Sequence, residues 1–268
     1  MDLPSPRFMA AHGVLGLSAL LPRDPGLDET LIGALRQEFP NVVLRQPPLA
    51  AMPNEGPRIV LASTSSQLAI SPGQADFEVR FYGDYPSAPD KCLEYLHRKM
   101  EAIRMALGSI QVVPANIGVV ATLNFSFEQS DESPIAHMLD KHLRTQIDPA
   151  SVEDAVARLA LKVRDKYFVS LRVANYEARM IQRPVMPGDM QQPIVVKPWE
   201  GTVEDRGIGL TVDINNVLEN KVARQDAQVS GEGVTNVIEL LRQVASTAGP
   251  QFVETGELSS DVLVGEMA

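Results

Sequence analysis

A regular apolar stripe between Ser87 and Gly108 constrains the fold more than any other feature of the sequence. Its members recur with spacings of three, four, three and four residues, which places them on one side of a helix: Leu93, Leu96, Met100, Ile103 and Leu107. Ser87 followed by Asp90 predicts a capping box, and Gly108 predicts a left-handed end to the helix. The segments on both sides have the character of strands, so a sheet is the expected partner of the stripe.

Several other segments alternate between apolar and polar residues, as half-buried strands do. Residues 77–82 and 117–127 alternate on either side of the long helix. Farther along the chain, Leu159, Leu161 and Val163 alternate with basic residues, and residues 169–174 repeat the pattern after a turn near 165–167. This last pair predicts a β-hairpin with long arms.

The order of these elements predicts an α+β fold. Because strands cluster ahead of helices, we expect mixed or mostly antiparallel sheets packed by long amphipathic helices. The second half loosely repeats the first, which suggests a duplicated strand–helix–strands–helix unit. We expect an N-terminal α+β half at residues 1–130 and a C-terminal α+β half at 131–250 packed on it. Residues 251–268 contain no Lys or Arg, and we expect a mobile acidic tail with a short apolar stretch at Val262–Val264 that is able to dock.

Composition narrows the classes of function. The formal net charge is −10, which opposes binding to nucleic acid or to an anionic membrane at long range. The single cysteine, Cys92, cannot form an intrachain disulfide, so a reducing cytoplasm is the expected location. The apolar run Phe8–Leu21 is broken by polar residues and is too short for a membrane span, and we predict no membrane partner.

No familiar catalytic or cofactor motif is present in the sequence. The glycine-rich phosphate-binding patterns are missing, and no cofactor is predicted. His137 and Asp140 would share one face of a helix, but His142 is five residues on from His137 and is expected to point elsewhere, so a zinc helix is not predicted.

One acidic position stands out at the end of a late strand. Asp213 and Asn215 are two residues apart, so a strand would project both side chains from the same face, where they could meet a ligand or a metal. Ordinary turn chemistry after a strand explains the same pattern equally well.

The predicted hairpin is strongly basic. Residues 158–183 contain seven basic and two acidic side chains, a net charge of +5, which leaves −15 for the rest of the chain. Aromatic residues Tyr167, Phe168 and Tyr176 are interleaved with them. We predict a partner-binding surface, for another protein chain or for nucleic acid, formed by Arg158, Lys162, Arg164, Lys166 and Arg172. A solvated strand face, or docking of the chain's own acidic tail, explains the same charges.

Five short motifs resemble a sporadically distributed prokaryotic family of uncharacterised α+β proteins. They are Pro57 to Leu61, Gln67 to Gly73, Tyr85-Pro86, Asn116 to Gly118 and Leu210 to Asn215. The resemblance spans residues 56–241, and Asn215 stands where that family has a second acid. It implies no established activity and no catalytic residues. The family's patchy distribution implies an association with mobile elements or antiviral defence.

Two functions remain open from the sequence. The first is a non-catalytic binding or assembly module that acts in a prokaryotic cytoplasmic complex, as an oligomer or with another chain, through the basic hairpin. The second is a metal-dependent enzyme for a phosphate-bearing substrate or nucleic acid. In the second case Asp213, Asn215 and Asp140 would hold the metal, and the hairpin arginines would hold the phosphate.

Overall fold

One antiparallel sheet organises the molecule. The computed structural model describes residues 5–22, 24–45, 56–127, 133–164, 166–180, 202–216 and 229–258. Nine strands lie in the order β2-β3-β4-β5-β1-β6-β9-β8-β7, and all neighbouring pairs are antiparallel. The strands are β1 (Arg7–Leu17), β2 (Asn41–Arg45), β3 (Ile59–Ala62), β4 (Ser66–Ile70), β5 (Gln74–Arg80), β6 (Pro114–Ser126), β7 (Val156–Val163), β8 (Tyr167–Met180) and β9 (Thr202–Asn215).

Helices cover one face of this sheet. They are α1 (Pro25–Leu35), α2 (Pro89–Ser109), α3 (Pro134–His137), α4 (Gly231–Gln243) and α5 (Gly249–Thr255). Two π-helical turns, Met138–Leu143 and Val244–Ala248, extend α3 and connect α4 to α5. Helix α2 contacts β1 and β5, α4 contacts β6 and β9, and the two helices contact each other. Among the described residues, no helix is both long and apolar enough to cross a membrane.

The predicted apolar stripe is confirmed as the buried side of α2. Each of its five members is at most 2% exposed. Gly13 of β1 allows the close approach of this helix, because a Cβ atom there would lie 2.9 Å from the sulfur of Met100. The predicted ends of the helix are wrong. Ala88 is the N-cap without a side-chain hydrogen bond, Gly108 lies inside the helix, and Gln111 takes the left-handed conformation with φ of 60°.

The predicted fold class is wrong. The strands form one fully antiparallel sheet, not mixed sheets, and the described strands of the second half extend the sheet of the first, without a duplicated unit. Long helices are also fewer than expected: α2 has 21 residues, and the other described helices have 13 or fewer. The single sheet arises because β6 pairs with β9 over a large sequence separation, and this pairing joins the strands of both halves into one layer.

Two features of the structure bear on the predicted division into halves and tail. Strand β6 belongs to the first predicted half and pairs along nine residues with β9 of the second. The first five residues of the predicted acidic tail lie in α5, where Phe252 and Val253 are buried. Residues 259–268, including Val262–Val264, lie outside the described residues.

Alternation along the central strands creates a buried face and an open face. In β6 the residues Ile117, Val119 and Ala121 are buried towards the helices, whereas Val120 and Thr122 are half-buried on the other side. The same parity holds in β9, where Val212 is buried and Asp213 is half-buried. The open face is therefore where strand side chains can meet solvent or a partner.

Candidate binding site on the basic hairpin

Two arginines face each other at the basic edge of the open face. Arg158 of β7 lies directly opposite Arg172 of β8, and both side chains are exposed. The Arg158 Nε donates a hydrogen bond to the Ser170 hydroxyl at 2.9 Å. In the described part of the chain, neither arginine has an ion-pair partner. Like charges directly opposite each other destabilise a strand pair, so this position favours an anion that bridges them.

The other predicted basic residues are distributed differently. Lys162 is opposite Phe168 and shares the face of Arg158, as predicted. Arg164 does not continue the strand: it lies in the turn with φ of 51°, and Lys166 is in the same turn. Arg179 is ion-paired with Glu177, and Arg183 lies outside the described residues. Of the predicted basic residues of the hairpin, Arg158, Lys162 and Arg172 therefore lie on strand positions of the open face.

A small pocket connects the arginine pair to the acidic position of β9. It has a volume of about 280 Å³ and is lined by Val120, Val156, Arg158, Ser170, Arg172, Thr211 and Asp213. Asp213 is opposite Ser170 in the register between β8 and β9. The structure thus brings two guanidinium groups and one carboxylate to the same depression, with an excess of positive charge. Such a depression suits a carboxylate, which arginine binds through paired hydrogen bonds.

Asp213 and Asn215 project from the same face, as the sequence predicted. The Asn215 side-chain amide donates to an Asp213 carboxylate oxygen at 3.3 Å. Asp140 is not brought to this pair, because it lies on the π turn Met138–Leu143 and is ion-paired with Lys141 at 2.7 Å. Across the described ranges, no three His, Cys, Asp or Glu side chains are arranged to hold a metal ion.

The expectation that His142 points away from His137 is wrong. Both rings hydrogen-bond the Val253 carbonyl oxygen of α5, at 2.8 Å for His137 and 3.2 Å for His142. The π turn explains the difference, because residues five apart come onto the same face when the backbone bonds run from i to i+5. Burial lowers the pKa of His142. The two histidines therefore anchor α5 to the π turn.

The sequence alone did not reveal a cluster of one histidine and two acidic residues on the open face of the central strands β1 and β5. His12 of β1 lies opposite Glu78 of β5, and its Nε2 is 3.4 Å from an Asp76 carboxylate oxygen. Alternation predicts that each of these residues faces outward. It does not predict that β1 and β5 are neighbours, so no sequence signal places the three side chains together.

The pKa of His12 provides a test of this cluster. The hydrogen bond with Asp76 raises the pKa of His12, although burial opposes the increase. Protonated His12 therefore stabilises the fold fully below the unfolded-state pKa of about 6.5, and this contribution is lost as the pH rises through the higher folded-state value. In an NMR titration we expect the His12 pKa to lie above 6.5 and to fall in Asp76→Asn. Equal values in the two proteins would contradict the assigned hydrogen bond.

Comparison with known proteins provides no functional assignment. The chain matches no protein-family model, and no curated protein matches its sequence. The geometry and charge of the hairpin therefore carry the functional argument.

Proposed function

We propose that the protein is a non-catalytic binding module that joins a prokaryotic cytoplasmic complex by binding an acidic protein surface. The observation that carries the proposal is the Arg158–Arg172 pair, two guanidinium groups directly opposite each other on exposed strand positions. A carboxylate from a partner would remove their mutual repulsion and form charge-assisted hydrogen bonds. The adjacent pocket supplies a place for that carboxylate.

An acidic protein suits this surface better than nucleic acid. The chain carries a net charge of −10, so a polyanion is repelled at long range and meets attraction only near the hairpin. Two of the three hairpin aromatics also offer little stacking surface. Tyr167 is only 7% exposed, and the Tyr176 hydroxyl donates to Asp205 at 2.9 Å. Binding to single strands usually depends on such stacking.

Two further observations support the proposed location and association. The resemblance to a sporadic prokaryotic family supports an association with antiviral defence or mobile elements. Cys92 is buried, and burial raises the pKa of its thiol to about 12, so the thiol remains protonated and unreactive. A lone inert thiol fits a protein of the reducing cytoplasm.

Charge reversal on the hairpin tests the proposal directly. We expect a fluorescein-labelled peptide of alternating Asp and Glu to bind at low salt, as measured by fluorescence anisotropy. The double variant Arg158→Glu, Arg172→Glu should weaken this binding at least about tenfold, because it replaces attraction with repulsion at the contact. The matched control is Arg80→Glu, an exposed arginine of the same open face that lies on β5, four strands from Arg172 and five from Arg158, and it should bind like the natural protein.

Two results would contradict this function. Equal weakening by Arg80→Glu would show that general charge, and not the hairpin, attracts the peptide. Tighter binding of a labelled oligothymidine than of the acidic peptide would assign the surface to nucleic acid. Asp213→Ala separates the proposal from a metal-dependent enzyme for phosphate-bearing substrates, because a binding module should retain its partner while an enzyme should lose turnover or metal binding.

A further inference from the structure

The pocket between the arginine pair and Asp213 is lined by charges of both signs. Arg172 of β8 lies opposite Thr211 of β9, and Asp213 is two residues farther along β9 on the same face. Such diagonal neighbours are about 7–8 Å apart. Arg158 reaches the pocket from β7, because its Nε donates to the hydroxyl of Ser170, the residue opposite Asp213. The pocket therefore has two arginines on its β7–β8 side and a carboxylate on its β9 side.

These opposite charges are not paired with each other. Asp213 accepts a hydrogen bond from the Asn215 amide at 3.3 Å and forms no ion pair with any described residue. Arg158 and Arg172 also have no ion-pair partner within the described ranges. A half-buried carboxylate is stabilised when a cationic group approaches it, and a guanidinium group is stabilised by a carboxylate. The space between them therefore suits a molecule that carries both charges.

Asp213 selects among the anions that the arginines attract. A carboxylate bound by both arginines would lie close to the Asp213 carboxylate, and like charges repel. An ammonium group on the same ligand converts this repulsion into attraction. Such a ligand has no net charge, so the net charge of −10 on the chain does not oppose its approach. The charge pattern therefore favours a zwitterion over a simple anion.

The size and apolar lining of the pocket favour a small aliphatic ligand. Its volume of about 280 Å³ is just below the range of about 300–1,000 Å³ that is typical of pockets for drug-sized ligands. Val120 of β6, opposite Asp213, and Val156 of β7, two residues before Arg158, contribute apolar surface. An α-amino acid carries its ammonium group and its carboxylate on the same carbon atom, and an aliphatic side chain matches the valines.

We propose that this pocket binds a free α-amino acid with a small aliphatic side chain. The carboxylate accepts hydrogen bonds from Arg158 and Arg172, the ammonium group donates to Asp213, and the side chain contacts the apolar lining. This inference rests on the proposed function in that it uses the same arginine pair. It adds a regulator to that function, because an amino acid that occupies the arginines competes with the acidic partner.

Amide NMR titrations of the full chain with L-valine and two analogues test the class of ligand. The analogue 3-methylbutanoate is L-valine without the ammonium group, and isobutylamine is L-valine without the carboxylate. We expect L-valine to shift amide signals of β8 and β9 around the pocket. It should bind at least about tenfold more tightly than either analogue, because each analogue loses hydrogen bonds between charged groups. Equal binding of L-valine and 3-methylbutanoate, or no binding of L-valine, would overturn the proposal.

Neutralising Asp213 should abolish the preference for the amino acid. Asp213→Asn should weaken L-valine binding at least about tenfold without weakening 3-methylbutanoate binding, because it removes both the partner of the ammonium group and the repulsion of the anion. The matched control is Glu78→Gln, which removes the same charge from an exposed position of the same face, three strands away. It should bind L-valine like the natural protein, and the same spectra show that each variant is folded.

Two results with these variants would contradict the site. Unchanged L-valine binding in Asp213→Asn would contradict the contact between the carboxylate and the ammonium group. Equal weakening by Glu78→Gln would show that general charge, and not the pocket, attracts the amino acid.

The labelled acidic peptide separates this inference from the proposed function. L-valine should displace the peptide from the natural protein, and Asp213→Asn should retain the peptide while it loses L-valine. Peptide binding without L-valine binding would overturn the amino-acid site and leave the proposed function standing. L-valine binding without peptide binding would overturn the proposed function and keep the amino-acid site. Binding of both without displacement would overturn the shared use of the arginines.

Discussion

Replacing Asp28 with alanine is expected to lower the free energy of unfolding by about 3–5 kcal/mol, because it leaves a buried guanidinium without its counter-charge. Asp28 of α1 is 1% exposed and Arg58 is 4% exposed, and their charged groups are 2.5 Å apart. Arg58 also donates to the Pro22 carbonyl oxygen at 2.9 Å. The ion pair thus joins α1, the residue that precedes β3 and the loop after β1.

A neighbouring pair provides the matched control. Glu29, the next residue of α1, forms an ion pair with Arg45 at the same distance of 2.5 Å, but the two side chains are 61% and 41% exposed. Glu29→Ala should therefore change the unfolding free energy by less than about 1 kcal/mol. Urea unfolding followed by circular dichroism compares the two variants. A similar loss in both would show that burial does not determine the effect, contrary to our expectation.

The sequence predicts local structure well where burial has a regular period. The α2 stripe has five members at helical spacing, and all five are buried because the helix is covered by the sheet and by α4. The hairpin arms alternate as predicted, with Val169 and Leu171 buried and Arg172 exposed. In both cases the apolar side of the element is the buried side, and the sequence of that element alone identifies it.

Strand neighbours are not encoded in the same way. Val120 of β6 lies opposite Asp213 of β9, and their separation along the chain is large. Alternation shows which side chains of a strand face outward, but it does not show which strand lies beside it. A single sequence therefore leaves the sheet order open. The one continuous sheet, and with it the error in the predicted fold class, follows from such long-range pairings. The His12–Asp76 contact was missed for the same reason.

The candidate site depends both on local alternation, which the sequence predicts, and on strand pairing, which it does not. Outward parity of Arg158 and Arg172 was readable from alternation. Their direct opposition depends on the register of the hairpin, whose turn includes Arg164 in a left-handed conformation. Arg164 itself lies in that turn and not on the strand face. Alternation thus predicts which basic side chains face outward, and the hairpin register decides which of them lie opposite each other.

Gly256→Ala is expected to lower the free energy of unfolding by at least about 2 kcal/mol, for two separate reasons. Gly256 ends α5 in a left-handed conformation with φ of 71°, which a residue with a Cβ atom adopts at a cost of about 1–2 kcal/mol. A Cβ atom would also collide with the Lys141 carbonyl oxygen of the π turn. The backbone must then move at the contact where His137 and His142 hold α5 through Val253.

Gly108→Ala separates this steric effect from a general effect of removing glycine. Gly108 is an exposed residue of α2, and a Cβ atom there would meet no heavy atom within 4 Å. Alanine should therefore raise the unfolding free energy by about 0.5–1 kcal/mol through the lower entropy of the unfolded chain. Thermal and urea unfolding of both variants measure the opposite signs. A gain at Gly256 would contradict the close packing of α5 on the π turn.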